Sequence, residues 1–338
     1  MKKMIASSLL VCFSYQAAFA KIWRCNNNTG VTADFTTIQA AHDGAGAGDT
    51  IHLEPSVNGY GDLTMSKRLV IISTGQFITQ NPGIQFDPKP AYINNLNINN
   101  TGANNSVIMV RFIGNLSVNS GVNGVSFVNC AANAASDGYV ENNGRNGLII
   151  INNADNILVK NCILNFIRFE NGSNNIVVAN NIISYSIYND GGSDGIVSNN
   201  VIHAFGNSQS NSETLNNCVV GNNIFNKIVQ ISFFNCNISN NIAPNTGIPA
   251  DNGNLQNVDM STVFIDANGG FLDNVYQLKT GSPAIGAGGA GIDCGAFGGG
   301  SPFKLAVTPP IPSIYKMALP ATPSGSSMTL TFSTKSNN

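Results

Sequence analysis

Residues 125–131 read VSFVNCA, and five later segments repeat the pattern: ILVKNCI (157–163), IVVANNI (176–182), GIVSNNV (195–201), CVVGNNI (218–224) and CNISNNI (236–242). The shared asparagines, Asn129, Asn161, Asn180, Asn199, Asn222 and Asn240, are separated by 32, 19, 19, 23 and 18 residues. Intervals of this size mark stacked repeats; the first is one repeat plus an insertion near 132–147. Two residues before each asparagine stand Phe127, Val159, Val178, Val197, Val220 and Ile238. Two residues after it stand Ala131, Ile163, Ile182, Val201, Ile224 and Ile242. The residue immediately before it is mostly polar or small. Side chains alternate across a strand with period two, so the pattern puts both apolar columns on one inward face. It predicts an all-β solenoid of roughly a dozen turns, about 60 Å long at the strand spacing.

The asparagine column has a physical reason. Strands stacked in register lie about 4.8 Å apart. A stacked amide then donates to one neighbour, accepts from the other, and satisfies backbone at a buried bend. The alternative is that asparagine simply tolerates turns; six aligned copies favour the ladder.

Composition agrees with a solenoid. Charged residues are 10% of the chain, against about 25% in an average soluble protein. Glycine contributes 35 residues, and asparagine about 50, far above its usual share. A net charge of -2 lacks the basic face that nucleic-acid binding needs. Lys2 and Lys3, the mostly apolar stretch 5–13, and Ala18-Phe19-Ala20 predict a signal peptide over 1–20, with the mature chain starting at Lys21. No later stretch is apolar enough to span a membrane. A secreted or cell-surface monomer is expected.

Two further stretches carry a family resemblance. Residues 34–41, DFTTIQAA, followed by GDTIHL at 48–53, resemble the opening of pectate-lyase-like right-handed parallel β-helix proteins; LKTGSPAIG at 278–286 and DCGAFG at 293–298 look like the closing turns of secreted bacterial members. The resemblance implies a short helix over the open end of the solenoid and supplies the right-handedness. Thr37 is placed to cap that helix, with Ile38 and Ala41 facing the core. The domain reading is a signal peptide at 1–20, a β-helix at 21–300, and a linker with a short tail at 301–338. Within the tail, MTLTF at 328–332 alternates like a strand laid on the body.

Six cysteines remain after the signal: Cys25, Cys130, Cys162, Cys218, Cys236 and Cys294. The alignment makes Cys130 a neighbour of Cys162, and Cys218 a neighbour of Cys236, on adjacent turns. Disulfides and buried free thiols are both open for them; Cys25 and Cys294 belong to opposite ends.

Chemistry is less legible. The resemblance to polysaccharide lyases implies a Lys or Arg base with a cation, often Ca²⁺, to neutralise a uronate; hydrolases on such solenoids need paired carboxylates. Neither signature stands in this sequence. The nearest concentration of charge gives Lys160, Arg168, Glu170 and Asp190 as catalytic candidates, and Glu170, Asp190 and Asp194 as metal-ligand candidates. Asp137, Tyr139, Glu141 and Arg145 in the insertion, with Tyr188, are candidates for substrate contact. Constant spacing places Asn189 over Glu170, and Glu170 and Asp190 one turn and one column apart. Tyr185 and Phe205 are further rings able to stack on sugars. No cofactor is expected unless the chemistry is lyase-like, in which case Ca²⁺ is. The reading is a secreted protein that engages polysaccharide without a recognisable catalytic motif. A divergent lyase or hydrolase, and a structural or adhesive scaffold, are the alternatives.

Overall fold

A computed structural model describes residues 20–75, 78, 83–85, 87–99, 104–132, 148–150, 153–170, 172–189, 193–203, 213–228, 231–265, 274–305, 308–309, 312–318 and 327–336. The expected signal segment, apart from Ala20, and the insertion residues 133–147 lie outside the described residues. No helix among the described residues is long and apolar enough to cross a membrane.

The chain coils as a parallel β-solenoid with three faces. Ten strands stack on the first face: Ile22–Cys25, Thr50–Leu53, Val70–Ile72, Asn105–Ile108, Asn123–Val128, Asp155–Lys160, Ile176–Ala179, Gly195–Ser198, Cys218–Gly221 and Asn237–Ser239. The second face carries Tyr92–Ile93, Arg111–Phe112, Ala131–Ala132, the starts of Ile163–Phe169 and Ile182–Asn189, then Val201–Ile202 and Ile224–Phe225. The third carries Leu63–Met65, Leu96–Ile98, Leu116–Val118, Leu148–Ile150 and the ends of the same two long strands. The coil is shorter than the expected dozen turns, with about 7 complete turns; ten rungs span about 45 Å at the strand spacing.

The alignment drawn from the repeats holds strand by strand. Val128 pairs with Lys160, Lys160 with Ala179, Ala179 with Ser198, Ser198 with Gly221, and Gly221 with Ser239. Phe127, Val159, Val178, Val197, Val220 and Ile238 fill the lumen as one core.

Two expectations are corrected at the corner that follows. The aligned asparagines do not form the buried ladder. Each has positive φ, between 54° and 59°, the left-handed conformation that asparagine adopts at lower cost than most residues. Turn tolerance is thus the reason for that column. The ladder lies one residue later. Asn181 N donates to Asn200 Oδ1, Asn200 N to Asn223 Oδ1, Asn223 N to Asn241 Oδ1, and Asn241 N to Asn254 Oδ1, each at 2.9 Å. Each of these amides also donates to a carbonyl of an earlier rung: Asn181 to Val159 O, Asn200 to Val178 O, Asn223 to Val197 O and Asn241 to Val220 O.

The second correction concerns the column two after the asparagine. The left-handed turn swings it out of the lumen. Ala131, Ile163, Ile182, Val201, Ile224 and Ile242 form a second core with Val263, Phe264, Tyr276, Ala284, Cys294, Ala296 and Phe303 from the C-terminal part of the chain. That part runs back along the bend column, which holds it. Gly289 N donates to Asn222 Oδ1 at 2.8 Å, Asn199 Nδ2 to Asp293 O at 3.3 Å, and Asn180 Nδ2 to Ala296 O and Gly298 O at 3.0 and 2.7 Å.

At the other end the helix Ile38–Gly44 is capped by Thr37, whose Oγ1 accepts from Ala40 N at 3.3 Å, and it buries Ile38 and Ala41 in the lumen core as expected. A strand precedes the GDTI segment: Ile22–Cys25 pairs in parallel with Thr50–Leu53. In the tail the strand is Thr331–Lys335, three residues later than the alternation suggests. Its partner is Ser313–Ala318, antiparallel, and not the body.

The cysteines neighbour as aligned, and all six are free thiols. Cys130 N donates to Cys162 Sγ at 3.3 Å, and Cys218 N to Cys236 Sγ at 3.4 Å. Burial pushes the Cys25 and Cys294 thiols up to about 12. The half-buried Cys236 is lowered to about 7, chiefly by its side-chain hydrogen bond with Cys218.

Candidate functional site

On a strand, Arg168 and Glu170 stand two apart and share a face. The end of Ile163–Phe169 turns that pair outward on the third face, while Ile167 and Phe169 point into the lumen. Arg168 Nη1 lies 3.3 Å from Glu170 Oε1, with both side chains partly exposed. The neighbouring rung adds Tyr188, directly paired with Arg168. The guanidinium carbon lies 5.8 Å from the Tyr188 ring centre. Phe166, two residues before Arg168 on the same outward side, stacks on Tyr188 with ring centres 6.4 Å apart and planes 25° apart.

This juxtaposition depends on a bulge. Leu164 pairs with Ile183 but Phe166 with Ser186, so the later strand carries one extra residue. The bulge corrects the expected stacking: Asn189 lies beside Phe169, not Glu170. Asn189 is buried and bonds inward, with its Oδ1 accepting from Asn216 N and its Nδ2 donating to Asn216 O. The outward column leading to the site otherwise reads Thr64, Asn97 and Ser117, with Ile149 as the backbone partner between Ser117 and Arg168. The ring pair and the ion pair thus interrupt a largely polar row.

The remaining candidates do not join them. Lys160 ends a first-face strand and points outward there, beside Val128 and Ala179. Asp194 is exposed at the corner before the first face, where its Oδ1 accepts from Asn175 N at 2.6 Å. Asp190, Asp137, Tyr139, Glu141, Arg145 and Phe205 lie outside the described residues. Among the described residues no three His, Cys, Asp or Glu side chains gather as metal ligands. Charge in the sequence pointed to Arg168 and Glu170. The part of Phe166 was missed, because a bulge leaves no mark in a repeat aligned on its asparagines.

Two other polar sites have structural partners. His203 Nδ1 lies 2.7 Å from the Tyr276 hydroxyl and 2.8 Å from Asn226 Nδ2. Both can donate to it, which places its proton on Nε2; burial, then the charge of Lys227, lowers its pKa. It anchors Tyr276 in the second core. Near the N-terminal end a cavity of about 260 Å³ opens between His52, Thr74 and Asp87 of the body and Pro309, Pro312 and Ile314 of the tail. Burial lowers the His52 pKa. Both Asp87 oxygens are engaged by Lys89 Nζ, at 2.7 and 2.6 Å. Burial opposes the charge on nearby Glu54, but hydrogen bonds from Arg24 and Asn26 outweigh it and hold that carboxyl low. This cavity therefore offers an imidazole biased toward its uncharged form and an Asp87 carboxylate already paired with Lys89.

The third face thus presents two flat ring surfaces, a guanidinium and a carboxylate side by side, all partly exposed. No protein-family model matches this chain, and no curated protein matches it.

Proposed function

We propose that this protein is exported and binds an extended polysaccharide along the third face of its solenoid, without cleaving it. The observation that carries this reading is the Phe166–Tyr188 ring pair beside the Arg168–Glu170 ion pair. The C–H faces of sugar rings stack on aromatic faces, and guanidinium and carboxylate groups take the hydroxyls or a uronate carboxylate in directed hydrogen bonds. A stiff sheet supplies such groups already ordered, which limits the entropy lost on binding. Glu170 is held by Arg168, which suits it to recognition better than to proton transfer. In the sequence the insertion with Asp137, Tyr139, Glu141 and Arg145 lies between Ala132, which ends a strand of the second face, and Leu148, which starts a strand of the third face and pairs with Ile167. We assign it to the same binding face, on a monomer whose body spans 21–300.

Incubation with a panel of uronate-containing and neutral polysaccharides tests this. The expected result is binding to at least one, no new reducing ends or near-ultraviolet absorbance, and loss of about tenfold in affinity for Tyr188→Ala or Arg168→Ala, from ring and cation contacts of ordinary strength. Cleavage of any member overturns the non-catalytic reading in favour of a lyase or hydrolase. Neither binding nor cleavage across the panel leaves the scaffold reading.

A further inference from the structure

Asp49 sits at the start of the second rung of the first face with both carboxylate oxygens engaged. Oδ1 accepts from the backbone nitrogen of Lys21 at 2.8 Å. Oδ2 accepts from Trp23 Nε1 and from Gly46 N, each at 2.8 Å. The Lys21 carbonyl accepts from Thr50 N at 2.8 Å, which seats the chain in register just before Ile22 pairs with Thr50. The Lys21 ammonium lies 3.2 Å from the centre of the Trp23 ring. Trp23 in turn packs on Phe35, with ring centres 5.4 Å apart. One carboxylate therefore ties together the backbone nitrogen of Lys21, the first rung and the loop before the second.

That nitrogen is also the one the small-x-small motif 18–20 marks for release. We propose that Asp49 is a receptor for a new α-ammonium formed at Lys21 when the Ala20–Lys21 peptide bond is cut. Hydrolysis places the hydroxyl of water on the Ala20 carbonyl carbon. A proton goes to the Lys21 nitrogen, which takes up one more to become an ammonium. A neutral amide N–H facing a carboxylate becomes a full positive charge facing it, with the acceptor in place. Removal of the leader thereby strengthens the first rung of the solenoid. This inference rests on the export expectation and is independent of the polysaccharide reading.

The chain has a single tryptophan, so Trp23 emission reports on this rung. Four proteins test the proposal: a chain beginning at Lys21, a chain beginning one residue earlier at Ala20, and each of these with Asp49→Asn. With Asp49 present, the Lys21 start is expected to raise the Trp23 melting midpoint by about 2 °C over the Ala20 start, the scale of one partly exposed ion pair in a chain of this size. With Asp49→Asn the difference disappears. Equal midpoints for the two Asp49 proteins, or an undiminished difference with Asp49→Asn, overturns the proposal. If Asp49→Asn fails to fold, the two Asp49 chains are compared by acylation of the α-amine under mild conditions. Severalfold slower modification of the Lys21 start supports the seat on Asp49, and equal rates overturn it. An intact mass of the exported protein that begins elsewhere than Lys21 also overturns it.

Discussion

Along one corner of the lumen, the later rungs and the earlier rungs solve the same problem with different side chains. From Asn181 to Asn241 the residue after the bend is an amide, buried and bonded above and below, and Asn254 ends the column by accepting from Asn241. Before that it is a thiol at Cys130 and Cys162, and before those a plain hydrocarbon, Val110. The thiols take the amide's place, with one sulfur standing where an amide has both an oxygen and a nitrogen. Cys162 Sγ accepts from Cys130 N at 3.3 Å and faces Phe127 O at 3.5 Å, where an amide would accept and donate along the same two directions. Cys162 N passes the chain on to Asn181 Oδ1 at 2.8 Å. A column of amides is strong and directional, whereas sulfur is a weak donor and acceptor that behaves mostly as a small hydrophobe. The corner therefore grades from hydrocarbon through sulfur to amide along the axis. The lesson is that the solenoid keeps this column buried from Val110 onward but fills it with strong hydrogen-bonding groups only in the later rungs.

The largest effect belongs to the amide end. Asn200 is fully buried. Its Oδ1 takes the Asn181 N–H, and its Nδ2 donates to Val178 O, Ser198 O and Asn223 Oδ1. Asn200→Leu removes all of these and strands several buried polar groups, each at about 1–3 kcal/mol, so a total loss of about 3–5 kcal/mol is expected. Chemical denaturation of the two proteins measures it. A loss under about 1 kcal/mol would mean that the amide rungs are held no more tightly than the thiol rungs, and the contrast would collapse.

Much of this frame was legible in the sequence. The period-two apolar columns and the spacing of the asparagines gave the register of six rungs, which the strand pairing reproduces. The ladder was placed one column early because most rungs carry two consecutive asparagines, and alignment settles on the one shared with Asn129 and Asn161. Only backbone conformation separates them: the first is left-handed and the second points inward, and φ leaves no trace in composition. Rungs before Val125 were hidden for the same reason, since Met109 takes the left-handed position, at φ 59°, and Val110 follows it. The second core was not legible because its cover comes from residues 263–303, far along the chain. At the site, the Arg168–Glu170 pair follows from strand alternation, whereas the contact with Tyr188 depends on a bulge that no local pattern announces.

An intermediate effect should separate the two asparagine columns. At the bend, Asn199 keeps φ at 54° and reaches the C-terminal segment through one hydrogen bond, to Asp293 O. Asn199→Ala is expected to lower stability by about 1–2 kcal/mol, because a residue with Cβ and no helping amide is strained in the left-handed region. Asn199→Gly should lose less, a few tenths of a kcal/mol, because glycine enters that region freely. Thermal melts of the pair decide the matter. Equal losses for alanine and glycine would show that the side-chain contacts of Asn199, and not its backbone, carry its role.

The smallest expected effect is the most direct probe of the gradient. If Cys162 is a rung of the same ladder, an amide should fit there as it fits at Asn181. Its Oδ1 would accept from Cys130 N and its Nδ2 would meet the Phe127 carbonyl that the thiol now faces. Burying an amide costs stability only when its hydrogen bonds are unmade. Cys162→Asn should therefore change stability by no more than about 0.5 kcal/mol, the range usual for replacements that leave no polar group stranded. The control is Val159→Asn, three residues earlier and equally buried in the lumen. There the amide meets a wall of Phe127 and Val178 from the adjacent rungs, and a loss of about 3 kcal/mol or more is expected. Because the two variants add the same side chain in the same rung, overall tolerance to asparagine cancels between them. A similar large loss at both positions would show that the thiols pack as hydrocarbon and that the amide ladder ends at Asn181.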